Sequence, residues 1–228
     1  MIPIRDNIVC ETKPYISWGI IAICITIFIG MKVLPYELQR QLTYLYGMVP
    51  IRYSNPAWAT GFGLPFDYYL SFLTNLFLHG GWVHIIINIW FLWIFSKKIE
   101  DIMGHVRFLF FYLICGVVAT FVQWYFDQGL VIPVVGASGA ISGVLGAYFI
   151  LYPYARIVVW LPLLFLPIFF ELPAISFLGF WVIMQIYKAT TALVFEEVVA
   201  DVAWWAHLGG FVAGVFLYPL FLKNQEKE

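Results

Sequence analysis

The chain has 228 residues, 63% of them hydrophobic and 11% charged, with a mean hydropathy of +0.89. A soluble domain is about 45–50% apolar and about 25% charged, so an ordinary water-exposed fold is excluded and a polytopic membrane protein is indicated. The net charge of −1 offers no basic surface, which removes nucleic acid as a partner and leaves membrane lipids.

In chain order, residues 1–14 read as a polar tail, with Arg5, Asp6, Glu11 and Lys13 and no signal-peptide layout. Apolar runs long enough to cross a bilayer follow, each about 20 residues in the ideal case. Helix I is expected near Tyr15 to Met31, II near Trp82 to Ser96, III near Phe108 to Phe126 and VI near Ala203 to Leu222. Helix IV starts at "VVGASGAISGVLGAY" and ends near Tyr152-Pro153. The run from Ile157 to Phe170 carries Pro162 and Pro167, so it reads as a proline-bent segment at the membrane interface, with helix V starting near Leu172 and Glu171 near a membrane face. The expectation is an all-α polytopic bundle of six transmembrane helices over 15–222, with a long outer loop between helices I and II and a short tail, 223–228.

Six spans put both ends on one side. Eight Lys and Arg residues, among them Lys97, Lys98, Arg156 and Lys227, fall on the side of the termini, against four on the other. That excess places both termini in the cytoplasm, with the protein in the cell inner membrane. The cysteines, Cys10, Cys24 and Cys115, form neither a disulfide framework nor a zinc pattern, so no metal or cofactor is expected.

Three polar groups lie at membrane depth. His84 and Asn88 are four apart and share a helix face. Ser138 stands among Gly136, Gly139 and Gly143. His207 precedes Gly210 and Gly214. Each alone is also readable as helix-packing chemistry, since Asn, His and small residues glue membrane helices. Their common depth links them: helices II, IV and VI all begin on the outer side, and each group lies near its helix start. Helix IV has 14 residues from Gly139 to Tyr152, about 21 Å against a hydrocarbon layer of about 30 Å. Ser138 is therefore submerged, and the non-helical chain before it needs a wet or protein-lined cavity.

This pattern reads as nucleophilic catalysis. Ser138, at a helix start with unpaired N–H groups, is the nucleophile, and neutral His207 is the general base. Asn88 and His84 are donors to an oxyanion. Gly136 and Gly139 allow a sharp turn and close approach, and Gly210 and Gly214 let helices IV and VI touch. Asp201 is a poor candidate for a third member, so a dyad is the simpler reading.

At these residues the chain resembles the rhomboid intramembrane serine proteases, on "YGMVPIR", "FLHGGWVHIIIN", "KKIEDIMG", "VVGASGAISGVLGAY", "ELPAISFLGFWVIMQ" and "AWWAHLGGFVAG". It resembles the basic six-helix form. The resemblance implies Ser138 as nucleophile, His207 as base, an oxyanion region at His84, Asn88 and the backbone of Ser138 and Ala137, and a structural role for His79. It also implies transmembrane-protein substrates that enter between helices II and V and are cut near the outer face. Some members carry a histidine where this chain has Asn75, and a tyrosine where it has Ser142; some carry a Trp-Arg pair in the outer loop, which is absent here. The alternatives from other classes are a catalytically silent relative that binds membrane helices for quality control, and a channel or carrier.

Overall fold

The computed structural model describes residues 1–163, 166–194 and 202–223; Asp201 and Lys227 lie outside the described residues. Strand β1 (Ile2–Asp6) leads into α1 (Tyr15–Lys32). The outer loop is built from short helices: α2 (Tyr36–Tyr46), α3 (Pro50–Ser54), α4 (Pro56–Gly61) and α5 (Ser71–Thr74), continued by a 3-10 turn, Asn75–Phe77. Then come α6 (Trp82–Met103), α7 (His105–Phe126) and α8 (Ser138–Leu151). Strands β2 (Arg156–Leu163) and β3 (Leu166–Pro173) precede α9 (Ala174–Val194) and α10 (Trp204–Leu217), which a 3-10 turn extends to Phe221. The architecture is a mostly helical polytopic membrane bundle, as its composition indicates. Among the described residues four helical stretches are long and apolar enough to span a bilayer: Tyr15–Lys32, Trp82–Met103, His105–Phe126 and Trp204–Phe221. The 14-residue α8 is shorter and apolar.

The centre of the bundle is α7, α8 and α10, brought together by small residues. A methyl group at Gly210 would overlap the carbonyl oxygen of Gly139, and one at Gly214 would overlap that of Gly143. On the other face of α8, a methyl at Gly139 would lie 2.7 Å from Ala119 Cβ on α7. Backbone therefore rests on backbone, which maximises dispersion contact where lipid gives no hydrophobic drive to associate. Every residue of α8 from Gly139 to Tyr148 is buried.

The segment expected to be a proline-bent interfacial element instead holds two antiparallel strands. Strands β2 and β3 are antiparallel partners from Arg156↔Pro173 to Leu163↔Leu166, and β1 pairs with β2 on its other edge, Ile2 opposite Trp160 and Asp6 opposite Ile157. Pro162 pairs in register with Pro167 near one end of the ladder, and Pro173 closes β3 at the other. The prolines thus mark strand ends, where a missing N–H costs little, instead of bends. Helix α9 starts at Ala174, next to the expected Leu172. Glu171 is exposed and pairs with Arg156 at 3.4 Å.

Both terminal segments sit at one end of the bundle, held by the last turns of α6. Lys98 Nζ lies 2.6 Å from Asp6 Oδ1, and both side chains are buried. The Tyr148 hydroxyl donates to the other Asp6 oxygen at 2.7 Å. Glu100 accepts from the N–H groups of Ile16 and Ser17, each at 2.9 Å, and so caps the free donors that open α1. Asp101 accepts from the N–H groups of Glu11 and Thr12. Lys223 donates to the Asp101 carbonyl at 2.7 Å, and Arg107 donates to that of Leu222. Breaking a buried pair leaves a charge uncompensated, so Asp6→Ala is expected to lower unfolding stability by about 3–5 kcal/mol. Thermal unfolding in detergent checks this; the double variant Asp6→Ala/Lys98→Met should recover part of the loss.

Arg52 anchors the outer loop at the opposite end. It is fully buried and donates to the carbonyls of Pro65 at 2.6 Å and Leu45 at 3.0 Å, with the Tyr53 and Tyr68 rings beside it. The loop then pairs with the chain that descends to Ser138. Met48 and Val134 exchange N–H···O bonds of 3.1 and 2.7 Å, and the Ile51 N–H donates to the Leu130 carbonyl at 3.1 Å. The backbone of this non-helical stretch is thereby satisfied by protein.

Candidate active site

The descending chain turns into α8 at Gly136, whose φ of +127° lies in the region that disfavours side chains. Space makes the same demand. A Cβ there would sit 2.6 Å from His84 Nε2 and 3.7 Å from Asn88 Nδ2. His84 and Asn88, one turn apart on α6, are thus both aimed at the turn that precedes Ser138. The Gly136 N–H donates to the Asn75 carbonyl at 2.9 Å, and Asn75 Nδ2 donates to Thr120 Oγ1 on α7 at 3.1 Å. Asn75 therefore fixes the height of the turn. The His79 ring stands 5.3 Å from that of His84, between centroids, and backs it from the loop side.

Ser138 is the first residue of α8, with buried Ala137 as its cap residue. The Ser142 hydroxyl donates to the Ser138 carbonyl at 2.7 Å, a bond within one helical turn. Asn88 is 5% exposed, and its Nδ2 has no hydrogen-bond partner among the described residues. A buried amide donor without an acceptor is costly unless an acceptor arrives during function.

His207 lies in the first turn of α10. Its neighbour Ala206 is set against α8: a methyl at Gly139 would be 3.7 Å from Ala206 Cβ. The Ala206 N–H, a free donor of that turn, is capped by Gln123 Oε1 of α7 at 2.9 Å; Gln123 Nε2 in turn donates to Asp127. The turn is thus pinned on two sides. Trp181 and Trp204 flank the imidazole, each with ring centroids 5.9 Å from it. Among the described residues no hydrogen bond joins Ser138 Oγ to His207; the ring bonds through Nδ1 to Gln185 Oε1 of α9 at 2.8 Å.

The structure therefore gathers Ser138, Ala137, Gly136, His84, Asn88 and His79 around one turn, with His207 on the helix locked against α8 through Gly139 and Gly210. Gly214 acts lower down, against Gly143. Sequence reasoning missed Gln185, Gln123, Trp181 and Trp204. The one available signal was the amide of Gln185 within the otherwise apolar stretch Phe177–Ile186.

A rhomboid domain matches residues 67–224, which covers more than half of the sequence. This chain belongs to the rhomboid family. It is 34% identical over 155 residues to presenilin-associated rhomboid-like protein A, mitochondrial, of Danio rerio, covering 64% of this chain and 36% of that protein. It is 31% identical over 166 residues to presenilin-associated rhomboid-like protein, mitochondrial, of Bos taurus, covering 68% of this chain and 40% of the relative. Against rhomboid protein 1, mitochondrial, of Saccharomyces cerevisiae, identity is 29% over 163 residues, covering 70% and 44%. The matched region thus spans less than half the length of these relatives.

The rhomboid relatives also correct the expected location. They are named mitochondrial, which conflicts with the cell inner membrane inferred from charge. That inference overreached, because a Lys and Arg count compares two sides of a membrane and carries no information on which membrane it is.

Proposed function

We propose that this rhomboid is a serine endopeptidase that cuts transmembrane segments of membrane proteins through Ser138 and His207. The observation that carries the reading is the seating of Gly139 against Ala206, which brings the residues adjoining Ser138 and His207 into contact across α8 and α10. Ser138 Oγ attacks the scissile carbonyl carbon while His207 Nε2 takes its proton. The tetrahedral oxyanion accepts hydrogen bonds from Asn88 Nδ2, His84 and the backbone N–H at Ser138. The C–N bond then breaks, and His207 returns the proton to the leaving amine. Water, activated by the same imidazole, attacks the acyl-enzyme ester and releases the acid product, restoring Ser138.

The substrate enters sideways between α6 and α9 and unwinds near the submerged turn, since a helical peptide bond is shielded by its own turn. Surrounding lipid holds enzyme and substrate in one plane. Incubation of the purified protein in liposomes with a single-pass reporter tests the proposal: two fragments are expected, and capture of an intact reporter would support the helix-binding alternative. Solute flux without cleavage would support a channel. In the same assay Asn88→Ala is expected to reduce kcat by about 10²–10³-fold, the usual loss for one oxyanion donor. An unchanged kcat would remove Asn88 from the oxyanion site.

A further inference from the structure

The proposed dyad leaves open what orients the imidazole, because no carboxylate faces it among the described hydrogen bonds. We infer that Gln185 of α9 is the positioning residue for His207, acting as a neutral third member that sets the imidazole's tautomer. This inference rests on the dyad reading for its catalytic consequence, but its structural content stands independently.

Gln185 is 6% exposed. Its Nε2 donates to the Trp181 carbonyl at 3.3 Å, one turn back on α9. A carbonyl can only accept, so the amide nitrogen must face it. The amide oxygen is thereby turned to His207, 2.8 Å from Nδ1. An amide oxygen can also only accept, so Nδ1 must carry the hydrogen. In a neutral ring Nε2 is then left with its lone pair, the form a general base requires. An amide turned the other way would donate to Nδ1 and fix the proton on Nε2, the arrangement that disables a serine-histidine site. The Trp181 carbonyl excludes that orientation. The Trp181 ring, from the same helix turn, lies along the imidazole with an interplanar angle of 36° and limits its rotation.

Because an amide is neutral, Gln185 fixes geometry without the charge stabilisation a carboxylate gives the imidazolium. This suits a site within the bilayer, where an unpaired carboxylate is expensive whenever the imidazole is neutral. It also makes α9, one wall of the proposed substrate passage, part of the catalytic geometry.

The test uses full-length protein labelled with ¹⁵N-histidine, with the His207 signals assigned by their loss in His207→Ala. Wild type should show a protonated Nδ1 and a bare Nε2. Gln185→Met, close in volume and without the acceptor, should show mixed tautomers. It should lower kcat by about 3–10-fold, the worth of one neutral hydrogen bond, with KM unchanged. Gln185→Glu restores the acceptor and should restore the single tautomer, which shows that the fold tolerates the site. If Gln185→Met keeps the wild-type tautomer, or if Gln185→Glu fails to restore it while unfolding as wild type does, the inference is overturned. If the tautomer shifts as expected but neither wild type nor variant cleaves the reporter, Gln185 still positions the imidazole and the protease reading is what fails.

Discussion

Ser138→Ala and His207→Ala are each expected to abolish cleavage of the liposome reporter, with losses on the order of 10⁴-fold or more, and Ser138→Ala to leave thermal unfolding within about 1 kcal/mol of wild type. The size of the loss follows from the chemistry. Without Oγ no acyl-enzyme forms, and without the imidazole the hydroxyl keeps its proton and attacks only weakly. The stability prediction follows from the setting. Ser138 is half-buried, and among the described residues its side chain makes no hydrogen bond; its carbonyl, which serves Ser142, survives the change. The double variant should lose little beyond either single one, because the two side chains act as a unit. Equal losses that simply multiply would point to two independent roles and count against the dyad.

Gly214→Val is expected to have a large effect on folding. A Cβ at this position would overlap the backbone of Gly143 on α8, and no side-chain rotation relieves a clash with backbone. Overpacking of a flexible core costs about 1–3 kcal/mol; here helix must move against helix, so a loss at or above the top of that range is expected. Gly179→Ala, on α9 with open space around it, is the control and should be neutral or slightly stabilising. Thermal unfolding in one detergent compares the two. Gly214→Val should also impair cleavage, because the same contact carries α10 and hence His207. A Gly214→Val protein as stable as Gly179→Ala would mean that the α8–α10 contact is not what the structure describes.

The sequence made these two helices legible for a physical reason. Glycines four apart on α8, and again on α10, announce close backbone approach, and a serine or histidine one turn from such a contact is held in place by it. The brevity of helix IV was legible from the sequence, and α8 has 14 residues, too few to reach across the hydrocarbon layer. The strand pair was not legible. An apolar run without alternation reads equally as helix or buried strand, and what makes residues 156–163 and 166–173 strands is pairing, including that with β1 from the far end of the chain. The same distance hid the work of Glu100. It stands just past the expected end of helix II near Ser96, yet its carboxylate caps α1, more than 80 residues earlier. Gln185 was visible as a residue but not as a role, because only the seating of α9 beside α10 gives its amide an imidazole to face.

The most direct measurement is covalent capture of the nucleophile. Purified protein in liposomes is treated with a fluorophosphonate that reacts with activated serines, and the modified peptide is identified by mass spectrometry. The account predicts one adduct, on Ser138, absent in Ser138→Ala and strongly slowed in His207→Ala. Labelling that persists in Ser138→Ala, or that proceeds at the wild-type rate in His207→Ala, would contradict it.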